Sequence, residues 1–169
     1  ASGRVELLHL GPPYASFAVA VSPPRRSISE PYGLWKARAK MEAGTHLILA
    51  AIELLTVQIS VGNRGSLDQP ERSQAQWLQE FSGMLVHLNL VTSVCHYCAY
   101  GMRWKKPTKF WHNWYPPDLF RKCPGGHLHC ELRGSTKVKG KTVKWTSIAS
   151  PYPQELVDSM ARASLDLPR

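Results

Sequence analysis

Val5-Glu6-Leu7-Leu8-His9-Leu10-Gly11-Pro12-Pro13 is a short apolar run stopped by one glycine and two prolines. A run of that length between breakers reads as a buried strand. Residues 15–32, which follow, are rich in serine and contain Pro23-Pro24-Arg25-Arg26, the composition of a long polar loop. Between about 45 and 60, Leu47, Ile48, Ala51, Leu54, Leu55 and Ile59 recur at helical spacing, and Gly62 and Gly65 close that helix. Leu67 opens a short strand-to-loop element that Pro70 ends, and Ser73 is placed to cap a second helix running to about 86. Residues 90–94 carry β-branched side chains and read as a strand, with a further strand at 110–114. After Pro116-Pro117 the chain turns irregular, with a small hairpin expected in 132–148 and a last helix from about 153 to 163. Strands alternating with helices, then an irregular stretch, predict an α/β layer with a small appendage.

A chain of 169 residues, 43% of them hydrophobic, can bury a core of its own. No run of eighteen apolar residues occurs, so no transmembrane segment is expected. The apolar start is too short for a signal peptide and lacks a cleavage site. The net charge of +9 is concentrated: residues 103–144 hold eleven Lys and Arg against Asp118 and Glu131, and the remainder is balanced. Trp104, Phe110, Trp111, Trp114 and Tyr115 are interleaved with those cations. Basic residues with aromatics suit a phosphate backbone and unstacked bases, while an acidic protein partner would suit the charge alone.

All four cysteines fall between 95 and 130. Disulfide frameworks spread their staples, so this clustering points to a metal site or local thiols in a reducing, intracellular compartment. Cys95 and Cys98 have C-x-x-C spacing, and Cys123, His127, His129 and Cys130 follow around Pro124-Gly125-Gly126. Tetrahedral zinc takes four nitrogen or sulfur ligands, and this region offers more than four. By residue type alone a Cys95/Cys98 pair with two downstream ligands is as open as any other set.

Three motifs, in order, resemble cytosine-5 DNA methyltransferases, in particular a phage- and retroelement-like branch. Gly11-Pro12-Pro13-Tyr14-Ala15-Ser16-Phe17 resembles that family's Gly-Pro-Pro-Cys-x-x-Phe loop. Leu67-Asp68-Gln69-Pro70-Glu71-Arg72-Ser73 resembles its Leu-Glu-Asn-Pro-x-x-Ser element, and Tyr100-Gly101-Met102-Arg103-Trp104-Lys105-Lys106-Pro107-Thr108 is similar to its Tyr-Gly-x-x-x-Arg-Lys-Pro-Thr signature. The resemblance runs from about residue 5 to 165. It implies a partial Rossmann-like methyltransferase sheet at 1–98, with a basic, zinc-stabilised module at 99–169 packed on the same domain. It also aligns Cys98, Cys123, His127 and His129 with recurring positions of the branch, so it implies that quartet as ligands of a structural zinc.

The departures bear on chemistry. Attack on carbon 6 of cytosine needs a thiolate, and Tyr14 stands at that position. The family's glutamate becomes Asp68, its asparagine becomes Gln69, and an arginine of the third motif becomes Lys105, which loses the bidentate fork. Tyr14 also makes the loop look like the Pro-Pro-Tyr loop of amino-methyltransferases, but Gly11 has no side chain to accept a target amino group. No glycine-rich loop follows a strand in the way S-adenosylmethionine requires, so this cofactor is not expected with this chain alone. The resemblance therefore implies a catalytically inactive methyltransferase-like domain with Tyr14 and Asp68 lining a remnant pocket. Such a domain would serve as a nucleic-acid-binding or scaffold subunit among protein partners in a larger assembly. Arg103, Lys105, Lys106 and Lys109 would meet phosphate and Trp104 would stack. The alternative is an active DNA methyltransferase completed by a missing amino-terminal half.

Overall fold

In the computed structural model, which describes residues 5–19, 24–34 and 38–165, the opening apolar run is strand β1 (Leu7–Leu10). It pairs in parallel with β2 (Arg64–Pro70), Leu7 opposite Arg64 and Leu10 opposite Leu67. Parallel neighbours need a long crossover. Helix α1 (Arg38–Ser60) supplies it. Helix α2 (Gln79–Leu88) follows, and β3 (Val91–His96) and β4 (Pro107–His112) complete a mixed four-stranded sheet in the order β1-β2-β4-β3. A second, antiparallel sheet joins β5 (Ser135–Val138) to β6 (Lys141–Lys144). Lys139 and Gly140, at φ 47° and 77°, make its two-residue turn. The short helix α3 (Trp145–Ile148) and the terminal helix α4 (Gln154–Ser164) follow. The expectation of mixed α/β architecture therefore holds.

The chain divides into two compact units, the first reaching Ser93 and including Lys109–Trp114, the second comprising Val94–Thr108 and everything from Tyr115 on. A single cut at residue 98 does not describe this division, because the segment holding most of β4 returns to the first unit.

In the first unit, Phe17, Ile48, Ile52, Leu55, Leu67, Leu78, Phe81 and Trp111 form a continuous core, with Phe81 edge-on to Trp111 at 4.7 Å. Helix α1 starts at Arg38, well before residue 45, and Gly44 within it is a point of close approach: a Cβ there would fall 2.0 Å from Ser16 Oγ. Of the apolar residues expected to form its inner stripe, Ile48, Ala51 and Leu55 are buried, whereas Leu47 and Leu54 are half exposed. Gly65 does not close the helix. It lies inside β2, where Leu55 and Ile59 of α1 press against the strand. Ser73 caps a 3-10 turn at Gln74–Trp77, accepting from the Ala75 N–H at 3.3 Å, and α2 begins only after Leu78. Strand β4 begins at Pro107, three residues earlier than its apolar residues suggest, and ends at His112.

Among the described residues one helical stretch, Met41–Ser60, is long and apolar enough by composition to cross a bilayer. Its inner side is the core of this unit, so it makes no clear transmembrane segment.

The polar loop after residue 15 hides a charge. Arg26 is 2% exposed, and its guanidinium donates to the carbonyls of Ser16 (3.0 Å), Pro31 (2.6 Å) and Met41 (3.1 Å) and to Thr45 Oγ1 (3.1 Å), over the Phe17 ring. Burial lowers its pKa to about 10. In the second unit Tyr97, Tyr100, Leu119 and Leu156 are buried, with the Arg121 guanidinium over the Tyr100 ring and paired with Glu155 of α4.

Candidate metal centre

Strand β3 runs into a 3-10 turn, Tyr97–Tyr100, that carries Cys98 and ends at Gly101 with φ 82°. The other three ligand candidates come from residues 121–130, which form no regular element. That segment is held at its start by two bonds to His96: its backbone N–H donates to the Arg121 carbonyl (3.0 Å), and its ring Nδ1 accepts from the Cys123 N–H (2.9 Å). Gly125 and Gly126 then both take positive φ, 84° and 74°, a turn that residues with a Cβ adopt at a cost. The turn brings His127 and His129 back over Cys123.

The result gathers Cys98, Cys123, His127 and His129, whose ligand atoms all lie within 4.8 Å of one another. Cys123 Sγ is 3.8 Å from His127 Nε2 and 3.4 Å from His129 Nε2. A tetrahedral ion with sulfur at ~2.3 Å and nitrogen at ~2.0 Å has sulfur-to-nitrogen edges of about 3.5 Å, so these separations suit a single ion. His127 Nδ1 lies 3.0 Å from the Gly125 carbonyl, which can only accept, so Nδ1 carries the proton and Nε2 turns a lone pair inward. The Gly125 N–H donates to Cys123 Sγ at 3.4 Å. Burial and the neighbouring Cys123 thiol push the Cys98 thiol up. Partial desolvation, then the nearby His127 and Lys105, hold His129 below its usual value. All four cysteines are free thiols. Cys95 is fully buried on β3 and Cys130 is exposed, and neither belongs to the quartet.

The same loop meets the basic segment. The Cys130 N–H donates to the Arg103 carbonyl at 2.9 Å, and the Lys105 charge is felt at His129. Arg103 and Lys105 are exposed, while Trp104 is half-buried, its indole nitrogen buried with no acceptor among the described residues. The other two cations proposed from the sequence have internal work. Lys106 donates to the carbonyls of Ala149 (2.8 Å) and Ser150 (3.0 Å) and lies over the Tyr97 ring, and Lys109, in the first unit, donates to Gln76 Oε1 (3.0 Å).

At the carboxyl ends of the parallel strands in the first unit, the first two resemblance motifs are neighbours. Gln69 Nε2 donates to the Pro12 carbonyl at 2.8 Å and Ser73 Oγ donates to Gln69 Oε1 at 3.0 Å. Tyr14 is half-buried just before the 3-10 turn Ala15–Phe17, and Asp68 is 8% exposed. His9, one of several scattered histidines that the sequence offers only as ordinary packing or surface residues, sits between Ser66 Oγ (2.8 Å from Nδ1) and Asp68 Oδ1 (3.6 Å from Nε2). Its position opposite Ser66 in the parallel register explains the contact, which needs the pairing to be seen. Burial lowers the His9 pKa to about 4, so the ring is neutral near pH 7. The residue types are those of an acyl-transfer triad, but Ser66 is wholly buried and cannot reach a substrate, so the trio clamps β1 to β2.

Comparison with protein-family models, with curated proteins and with solved structures gives no match to this chain.

Proposed function

We propose that the chain is a non-catalytic, methyltransferase-like domain with a partial Rossmann-like sheet, acting as a nucleic-acid-binding or scaffold subunit, with a structural zinc at Cys98, Cys123, His127 and His129. The observation that carries the reading is the bond from the Cys130 N–H to the Arg103 carbonyl, by which the quartet's loop and the exposed cations Arg103 and Lys105 share one small region. Two thiolates and two imidazoles form a donor set that zinc favours over oxygen-seeking ions. Four protein ligands leave no open position for a substrate, which supports a structural role. Loss of catalysis is supported by Tyr14, whose phenol oxygen is a harder and weaker nucleophile than the sulfur the chemistry needs.

The test combines elemental analysis, calorimetry with S-adenosylmethionine, and oligonucleotide binding over a salt series. The reading expects one zinc per chain, no heat with the cofactor, and affinity that falls linearly in log salt. Lys105→Glu and Arg103→Glu should each lower the slope by about one. A chain that binds no zinc, or nucleic-acid binding insensitive to salt, would overturn it. The adjacency of Pro12 and Gln69 favours a second reading, a working methyltransferase pocket completed by further sequence, and clear S-adenosylmethionine binding would select that one.

A further inference from the structure

His127 and His129 both turn their Nε2 atoms toward Cys123, and the residue between them is left on the outside of the loop. That residue is Leu128, 99% exposed, more than any other large hydrophobic side chain described. A single exposed leucine on a mobile loop needs no explanation. Leu128 differs in being held there. Its neighbours are two candidate ligands of one ion, the turn before it is set by Gly125 and Gly126, and the Cys130 N–H two residues later is tied to Arg103. A bound ion would fix the backbone on both sides of Leu128 through His127 and His129.

We infer that Leu128 is an apolar wedge that packs on an unstacked base of a single-stranded nucleic acid while Arg103 and Lys105 hold the adjoining phosphates. This inference rests on the nucleic-acid reading above and names the strand type and the contact. Trp104, the stacking residue suggested by the sequence, is half-buried, so Leu128 is the apolar group the loop offers to solvent. Single strands present base faces without prior unstacking, whereas a duplex must first be opened. An anionic bilayer has the same charge and an apolar interior. One leucine buries far less than an acyl chain that itself gives only marginal anchoring, and its neighbours Gly126, His127, His129 and Cys130 add no apolar surface of note.

The experiment uses the full zinc-loaded chain and fluorescein-labelled single-stranded DNA and RNA 12-mers of mixed sequence, titrated at several salt concentrations. Leu128→Ala should weaken binding roughly five- to tenfold, with zinc content and salt slope unchanged, because it removes apolar contact and no charge. Leu128→Phe should restore the affinity. Wild-type binding with an unchanged Leu128→Ala affinity would overturn the wedge and leave the nucleic-acid reading standing. No binding by the zinc-loaded wild type would overturn both. Binding to phosphatidylserine vesicles that Leu128→Ala abolishes, without binding to either oligonucleotide, would assign the wedge to lipid instead and overturn this inference.

Discussion

Leu55 of the crossover helix presses on Gly65 of β2 so closely that a Cβ on the glycine would lie 2.6 Å from Leu55 Cδ1, with Ile59 Cγ1 at 3.0 Å. Leu55 is wholly buried, so it can withdraw only by repacking within the core. Gly65→Ala should therefore destabilise the first unit by about 1–3 kcal/mol, the usual cost of forcing volume into a packed core. Thermal denaturation checks this, and a change within error would mean that helix and strand separate more easily than their packing implies.

Arg26 is a buried cation surrounded by carbonyl and hydroxyl oxygens. Lysine keeps the charge but cannot supply a planar fork of donors to four separate acceptors. Arg26→Lys should cost about 2–4 kcal/mol through carbonyls left without donors. Arg26→Met, which removes the charge as well, should cost less than a value simply additive over the lost bonds, since no buried charge is then left to solvate. Urea midpoints for the two variants test the ordering.

Stability should also fall with acid in a defined window. Burial lowers the pKa values of His9 and His112 to about 4 each. In the unfolded chain each histidine takes up a proton near pH 6.5, while the folded chain resists until about 4, so the unfolded state binds more protons between those values. The contribution of the neutral rings is complete above pH 6.5 and is lost as pH drops toward 4, on the order of 3 kcal/mol for each histidine. His112→Gln should flatten the dependence, measured as urea midpoints between pH 7 and pH 4.5. An identical pH profile would show that His112 takes up its proton at the same pH in the folded and unfolded chain.

The turn before His127 offers a test that leaves the ligands intact. Gly126 has φ 74°, where an alanine pays roughly 1–2 kcal/mol of strain. Gly126→Ala should lower zinc affinity about tenfold in competition with a chromophoric chelator, and Gly126→Asn should lower it less because asparagine tolerates that backbone. Chelation of the wild type should in turn lower the thermal midpoint of the second unit. Equal affinities for all three chains would mean the loop is not set by this turn.

Much of the element order was legible from local pattern. Leu7–Leu10 is a strand because a breaker-bounded apolar run has few other uses, and the 135–144 hairpin follows from Gly140 in its turn. What was hidden depends on partners distant in sequence. Gly65 reads as a helix end but lies in β2 against Leu55, and Gly44, inside α1, meets Ser16. Arg26 reads as a loop cation until α1 is folded beside it, and His9 has no visible role until β1 lies in register with β2. At the metal centre, spacing left several ligand sets open. The choice of Cys98 over Cys95 comes from the 3-10 turn after β3, which exposes one cysteine to the loop while the other faces the interior.

The return of β4 has a consequence for synthesis. This strand sits between β2 and β3 in the sheet, yet it is made after the first thirteen residues or so of the second unit, from Val94 onward. Once the nascent chain has emerged as far as His96, β1, β2 and β3 are outside the ribosome with no strand to join β2 to β3. It must hold that open seam until Lys109–Trp114 emerges, and a chaperone that binds unpaired strand edges has its natural opportunity in that interval.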